Sequence, residues 1–347
     1  MGRGSFLVKF PMTSVFHVEP ALPVRVVVGS GLRAPSGRPP ASPAFKVAEE
    51  LLARKGRSFH WARRFLSPSH ADRTTRLYGF CRRVDDLADE SQAPEVARAE
   101  LDLLDRDLRA GVSADPLTVD AIRLFNECDI STEIPSLLIA GVAGDLDPVR
   151  ITTDDALLRY CYSVAGTVGL MMCATLDATD PRALPHAIDL GIAMQLTNLC
   201  RDVFEDALAG RRYLPASLIG DIEPERLIAP DEDDFERAQS AVLTLLDRAD
   251  VYYASGEDGL RYLPARARYA ILAAARIYRS IGLRVRRRTF EAWQRRAVVP
   301  SAMKAAISVT ALLSLRTQSR DRPHAASLHT ALAGLPGIDQ HADVRHG

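Results

Sequence analysis

A chain of 347 residues, 47% of them hydrophobic, is long enough to bury a sizeable core as one large domain or two. Its 44 basic and 44 acidic residues balance to a formal charge of zero, which leaves no global basic field to argue for nucleic acid. The five cysteines (Cys81, Cys128, Cys161, Cys173 and Cys200) lie scattered in apolar stretches with no CxxC spacing, so they read as reduced cytosolic thiols and not as a disulfide framework or zinc ligands.

Residues 1–43 hold seven prolines and Glu19 as their only acid. No apolar run followed by a small-residue cleavage site stands out. This composition predicts an extension outside the folded body, disordered or preceding the start used in the cell, with a transit peptide as the weaker alternative. Residues 44–320 carry accumulating helical signals, rich in Ala, Leu and Arg, with little strand-like alternation. Ser91 and Pro94 open a helix that Gly111 closes, and Ser131, Thr132 and Pro135 open another. Thr153, Asp154 and Asp155 cap a long helix through "LLRYCYSVAGTVGLMMC". Asp180-Pro181 starts the next, which is expected to run unbroken to near Gly210, followed by Asp231–Ser255 and Ala265–Arg288. About ten helices with short loops and no fixed repeat predict an all-α single domain. The apolar run Ala302–Leu315 is too short for a membrane span and contains Lys304, so it reads as a packed core helix. The run Arg284–Arg288 reads as a solvated helix end or a patch for anionic lipid headgroups rather than a DNA site. The polar tail, 321–347, is expected to fray.

Two stretches depart from ordinary surface helices. In "QLTNLCRDVFEDALAGRRYLP", Gln195, Asn198, Asp202 and Asp206 fall within an arc of roughly 80° at 100° per residue. A solvated acidic face usually carries Lys or Arg at i+4, yet i+4 from Asn198 is Asp202 and i+4 from Asp202 is Asp206. The pattern recurs in "YGFCRRVDDLADE", where Tyr78, Arg82, Asp85, Asp86 and Asp89 share an arc of roughly 100°. Carboxylates so placed repel unless something offsets them, and a divalent cation is the natural candidate. Mg²⁺ takes carboxylate oxygens and completes its shell with water and phosphate oxygens. Two acid stripes therefore suit two metal-bearing walls that hold a diphosphate, with Arg82, Arg211 and Arg212 available for further phosphate oxygens.

A diphosphate leaving an apolar group yields a carbocation, which needs a dry pocket. "YCYSVAGTVGLMM" places Ala165, Gly166 and Gly169 inside an apolar helix, where a glycine marks close approach by a ligand or by another helix. Tyr160 and Tyr278 offer ring faces to a cation, or are core.

These motifs together resemble the squalene/phytoene synthase family, the head-to-head prenyl synthases, and most of all its bacterial phytoene-forming members. The resemblance covers about Ser58 to Pro300, through "RSFHWARRFL", "YGFCRRVDDLADE", "YCYSVAGTVG" and "QLTNLCRDVFEDALAGRRYLP" in that order. It implies an all-α isoprenoid synthase bundle with a central cavity. It implies Mg²⁺ or Mn²⁺ held by Asp85, Asp86 and Asp89 on one wall and by Asn198, Asp202 and Asp206 on the other. It places Ser58, Phe59, Arg82, Asp145, Tyr160, Val164, Ala165, Gly169, Gln195, Arg201, Arg211, Arg212, Tyr213 and Tyr278 against the diphosphate or the prenyl chains. The implied reaction joins two prenyl diphosphates through a cyclopropylcarbinyl diphosphate, C20 substrates giving phytoene. The alternative is a squalene, dehydrosqualene or presqualene diphosphate synthase using C15 substrates. Arg57 and His60 depart from residues common in the family, and the N-terminal extension has no counterpart in it. No glycine-rich nucleotide fingerprint follows a strand, so no NADPH step is expected. A non-catalytic helical assembly protein would predict a lost acid in a stripe, and none is lost. The oily product predicts a cytoplasmic protein in peripheral contact with the inner membrane; the oligomeric state is not specified by the sequence.

Overall fold

The computed structural model describes residues 42–89, 93–287, 293–314 and 323–338. The expected N-terminal extension lies outside these residues except for Ser42 and Pro43, as does the expected helix start at Ser91. Among the described residues regular structure is helical, with one isolated parallel bridge between Arg150 and Arg212. The α-helices are α1 Pro43–Lys55, α2 Arg57–Arg63, α3 Pro68–Asp89, α4 Pro94–Ala110, α5 Pro116–Glu127, α6 Glu133–Ala143, α7 Asp154–Cys161, α8 Thr167–Thr175, α9 Ala183–Arg201, α10 Val203–Leu208, α11 Ala216–Ile219, α12 Pro224–Ile228, α13 Glu232–Gly259, α14 Ala265–Val285 and α15 Ser301–Ser314. Several begin where the sequence says they should. Ser42, Asp115, Thr153 and Asp231 each accept a hydrogen bond from the backbone N–H three residues on, a cap worth about 1 kcal/mol.

The bundle is built around α9, which packs against α13, α8 and α14. Ile188, Ile192, Ala193, Leu196 and Cys200 of α9 are fully buried. Residues 162–166 form a π-helical turn that joins α7 to α8 without a break. Glycines let this composite helix approach α9 closely. A Cβ on Gly191 would lie 2.2 Å from the Ala165 carbonyl oxygen, and one on Gly169 would lie 2.2 Å from that of Ala187. Helix packing is thus one function of the small-residue motif. By length and composition Asp154–Thr175 could cross a membrane, but half of the stretch is buried in the bundle, as suits a core helix.

Three expectations are corrected. The second acid stripe is not one continuous helix: α9 ends at Arg201, Asp202 takes φ −101° and ψ 17°, and α10 restarts at Val203. On a regular helix neighbouring side chains diverge, so the ion pair that Arg201 makes with Asp202 requires this local departure. The helix at 301–314 is not a core helix of the expected kind. Its buried residues are Lys304, Ser308 and Ala311, while Met303, Val309, Leu312 and Leu313 face solvent. Hydrogen bonding explains the inward polar face: Ser308 accepts from Trp61 Nε1 at 3.0 Å through Oγ and from the Tyr269 hydroxyl at 3.0 Å through its carbonyl. Finally, residues 323–338 pack instead of fraying. Leu332 and Leu335 are buried, and tail carbonyls accept hydrogen bonds from Tyr162, Tyr252 and Arg159.

Candidate active site

A cavity of about 610 Å³ runs through the bundle, lined by α3, the 162–175 segment, α9, α13 and α14. Small and apolar residues form much of its wall, including Val164, Ala165, Val168, Gly169, Met172 and Leu190. Both acid stripes open onto it. Asp85 and Asp89 come from α3; Gln195 and Asn198 come from α9, Asp202 from the break after it and Asp206 from α10.

Asp145, on the short 3₁₀ turn Gly144–Leu146 after α6, lines the cavity with both walls. It accepts hydrogen bonds from the Tyr160 hydroxyl at 2.9 Å and the Tyr213 hydroxyl at 2.8 Å, and those two rings stack at 4.9 Å. Burial nevertheless raises its carboxyl above the usual range. Its charge acts on acids of both walls. Burial pushes Asp85 up to about 7, with Asp89, Asp86 and Asp145 adding and Arg82 opposing. Burial pushes Asp206 up to about 8, with Asp202 and Asp145 adding and Arg211 opposing. Burial and mutual repulsion thus make it costly to ionise the acids of both walls together, a cost that a cation between them would offset.

Basic side chains compensate part of this. Arg82 Nε donates to Asp86 at 2.6 Å and Lys55 Nζ donates to the same carboxylate at 2.8 Å. Arg201 Nε donates to Asp202 at 2.6 Å, and Arg296 adds two bonds at 2.9 and 3.0 Å. Burial opposes ionisation of Asp202, but these guanidiniums outweigh it and hold the carboxyl below the usual range. Asn198 Oδ1 is buried with no hydrogen-bond partner, while its Nδ2 donates to Gln195 Oε1 at 3.3 Å. A buried acceptor without a donor, on the same wall as two carboxylates, suits an oxygen-preferring cation.

Of the residues singled out from sequence, Phe59, Arg82, Asp85, Asp89, Asp145, Tyr160, Val164, Ala165, Gly169, Gln195, Asn198, Arg201, Asp202, Asp206, Arg211, Tyr213 and Tyr278 line this one cavity. The Phe59 and Tyr278 rings lie 5.2 Å apart on its wall. Asp86, Ser58 and Arg212 do not line it. Asp86 turns to Lys55 and Arg82. Ser58 sits beside Phe59 on α2, half-buried. Arg212 is buried elsewhere, donating to the Ile151 and Leu214 carbonyls and to Asp221, and so is not placed to meet a diphosphate in the cavity. Arg296 and Lys55 were missed from sequence. Each meets its acid from a distant part of the chain, 94 and 31 residues away, with no periodic signal to reveal it.

An all-helical bundle that encloses an apolar cavity and gathers acids from two helices at one region of it defines a class, the prenyl-diphosphate-consuming synthases. Within that class the chain belongs to the squalene/phytoene synthase family, whose model matches residues 52–303. It is 37% identical over 268 residues to the 15-cis-phytoene synthase of Paracoccus sp. (strain N81106 / MBIC 01143), covering 74% of this chain and 87% of that protein. It is 36% identical over 307 residues to the phytoene synthase of Rhodobacter capsulatus, covering 83% and 89%. Among solved structures it resembles a dehydrosqualene synthase in complex with ligand, with TM-score 0.67 and 27% identity over 79% of this chain and 97% of that one. A squalene synthase from Alicyclobacillus acidocaldarius shares the fold, with TM-score 0.61, covering 70% of this chain and 93% of that one.

Proposed function

We propose that the protein is a prenyltransferase that condenses two geranylgeranyl diphosphates head to head, through the cyclopropylcarbinyl diphosphate, to phytoene, two diphosphates and a proton. The observation that carries this reading is the convergence of two acid walls on one apolar cavity in a chain related over most of its length to phytoene synthases. Asp85 and Asp89 on one wall, and Asn198, Asp202 and Asp206 on the other, would hold Mg²⁺ or Mn²⁺; the unpartnered Asn198 Oδ1 and the all-oxygen donor set fit such ions. When bound, the ions supply Lewis-acid pull on the departing diphosphate. Arg82, Arg201 and Arg211 neutralise diphosphate oxygens. Val164, Ala165, Gly169, Met172 and Leu190 exclude water, so that the cation rearranges before it is quenched. Phe59 and Tyr278 present ring faces to the cation. Proton loss ends the sequence, with no NADPH.

The second reading is a C15-using synthase, favoured by the likeness to the dehydrosqualene synthase structure. Incubation with C20 and with C15 diphosphates, Mg²⁺ and no NADPH separates the two. Phytoene from the C20 substrate is expected, and Asp89→Asn is expected to lower turnover at least about 100-fold, as when an electrostatic catalytic group is removed. A C30 product formed in preference moves the protein to the second reading. Lack of product from either substrate overturns both. We also place the protein in the cytoplasm, in peripheral contact with a membrane through the exposed apolar residues of α15.

A further inference from the structure

Asp189, His324 and His329 bring metal-ligand chemistry together away from the acid walls. Asp189 lies on α9 and is fully buried. Both histidines come from the packed C-terminal segment. His329 Nε2 lies 2.8 Å from Asp189 Oδ1, and His324 Nε2 lies 2.8 Å from Oδ2. One ligand atom from each of the three residues fits within a 4.8 Å span. Around them stands a polar shell: Ser255 Oγ donates to Asp189 Oδ2 at 2.5 Å, and His186 Nδ1 lies 3.0 Å from Ser255 Oγ.

The charge at this site needs a partner. Among the described residues no lysine or arginine pairs with Asp189; its ion-pair partners are the two histidines. An ionised carboxylate at zero exposure is costly unless a positive charge sits against it. That charge is either an imidazolium proton or a bound cation. The donor set, two imidazole nitrogens and one carboxylate oxygen, is the set that selects Zn²⁺ over Mg²⁺, with three protein ligands and a fourth position open. The His186–Ser255 pair then corresponds to the outer hydrogen bonds that orient metal ligands. The spacing is within reach. Bonds of about 2.0 Å to a tetrahedral zinc put neighbouring ligand atoms about 3.3 Å apart. Each histidine is now 2.8 Å from a different oxygen of Asp189. A contact with the ligating oxygen would therefore open by roughly half an ångström, while the widest pair, within 4.8 Å, would close by up to about 1.5 Å.

We propose that Asp189, His324 and His329 form a zinc site, its fourth position left to water, that clamps the C-terminal segment onto α9. On binding, each Nε2 gives up its proton and becomes a ligand; a neutral ring keeps its one proton on Nδ1, and a ring charged in the metal-free protein releases one proton to solvent. The site is separate in residues and in metal preference from the acid walls.

The test uses the full chain, stripped with a chelator and then supplied with Zn²⁺, Mg²⁺ or Co²⁺ alone. One tightly held zinc per chain is expected, with a melting temperature raised by Zn²⁺ and unmoved by Mg²⁺ at the same concentration. Co²⁺ is expected to give the strong visible absorption of a tetrahedral site. His329→Ala and His324→Ala are expected to lose the zinc and the Zn²⁺-dependent rise. Should those variants not fold, the Co²⁺ spectrum of the unaltered chain decides alone. Absence of retained zinc, of a Zn²⁺ response and of tetrahedral Co²⁺ bands overturns the proposal and leaves a hydrogen-bonded cluster. Zinc that survives in His329→Ala but is lost in Asp89→Asn also overturns it, since the ion would then sit on the acid walls.

Discussion

Asp202 and Asp206 stand four residues apart, and their surroundings pull them in opposite directions. Asp202 has two guanidiniums on its oxygens, while Asp206 has burial and the charge of Asp202 against it. The i, i+4 acid spacing was legible in the sequence; this asymmetry was not, because Arg296 reaches Asp202 from 94 residues away. The misplacement of Arg212 has a local cause. Arg212 lies in the extended bridge with Arg150, where successive side chains point to opposite sides, so Arg211 lines the cavity and Arg212 turns to the backbone carbonyls behind it. A pH prediction follows from Asp206. The unfolded chain releases this proton near 3.8, whereas the folded chain keeps it to about 8. The folded state therefore binds more protons in that window, and metal-free stability falls as pH rises through it. Asp206→Asn is expected to raise the metal-free melting temperature by about 2–4 °C at pH 8, the shift that about 1 kcal/mol gives in a domain of this size. The gain should shrink toward pH 4 and level off above 8. Asp202→Asn is expected to lower stability by about 1–3 kcal/mol, because it removes the carboxylate charge that both Arg201 and Arg296 bond at a partly buried site. Thermal melts at several pH values check both, and a metal-free gain for Asp206→Asn that does not grow with pH would refute the assignment.

At the scale of elements, helix identity was legible and helix orientation only in part. Period-3.6 patterning placed the bodies of α9 and α13 because most of their buried residues are apolar at helical spacing, though not the end of α9 at Arg201. The same logic failed for α15. There the polar groups are satisfied by Trp61 and Tyr269 from other elements, and the apolar residues are left outside. Val309, Leu312 and Leu313 are each more than half exposed. Buried small residues and outward aliphatics suit a helix that meets a hydrocarbon surface. The inner side of α15 packs near the cavity: Ala311 shares a cluster with Leu260 and Ile271, which line it. The protein is expected to sediment with vesicles containing anionic lipid, and Leu312→Glu with Leu313→Glu is expected to weaken that binding at least about tenfold. Turnover on detergent-dispersed substrate should stay within about twofold, since neither residue lines the cavity. Equal vesicle binding by the double variant would show that α15 is not the contact.

Across the whole molecule, the C-terminal end of the chain is where composition and packing part. The tail is polar on average, which hid Leu332 and Leu335, two buried leucines that help to seat it together with the buried His329. Its other anchors are backbone carbonyls, which no sequence pattern announces: Pro336 accepts from Tyr162 at 2.7 Å, Leu328 from Tyr252 at 2.8 Å and Ala331 from Arg159 at 2.9 Å. Tyr162 begins the π-helical turn whose neighbours line the cavity, so the tail supports the wall of the active site from behind. Residues 1–41 lie outside the described residues, and the first described helix is capped by the Ser42 side chain. Removing residues 1–41 is expected to leave melting temperature and turnover within error, because that stretch lacks periodic apolar content. Removing 323–347 uncovers two leucines and leaves Tyr162, Tyr252 and Arg159 without those acceptors, a loss on the order of 5 kcal/mol. In a domain of this size that lowers the melting temperature by about 10–20 °C. Turnover should fall with it even below the melting range, because the wall at Tyr162 loses its support. Both truncated chains are to be compared with the full chain after chelator treatment, so that any bound metal drops out of the difference. A C-terminal truncation that melts within about 3 °C of the full chain would mean that the tail rests on the bundle without stabilising it.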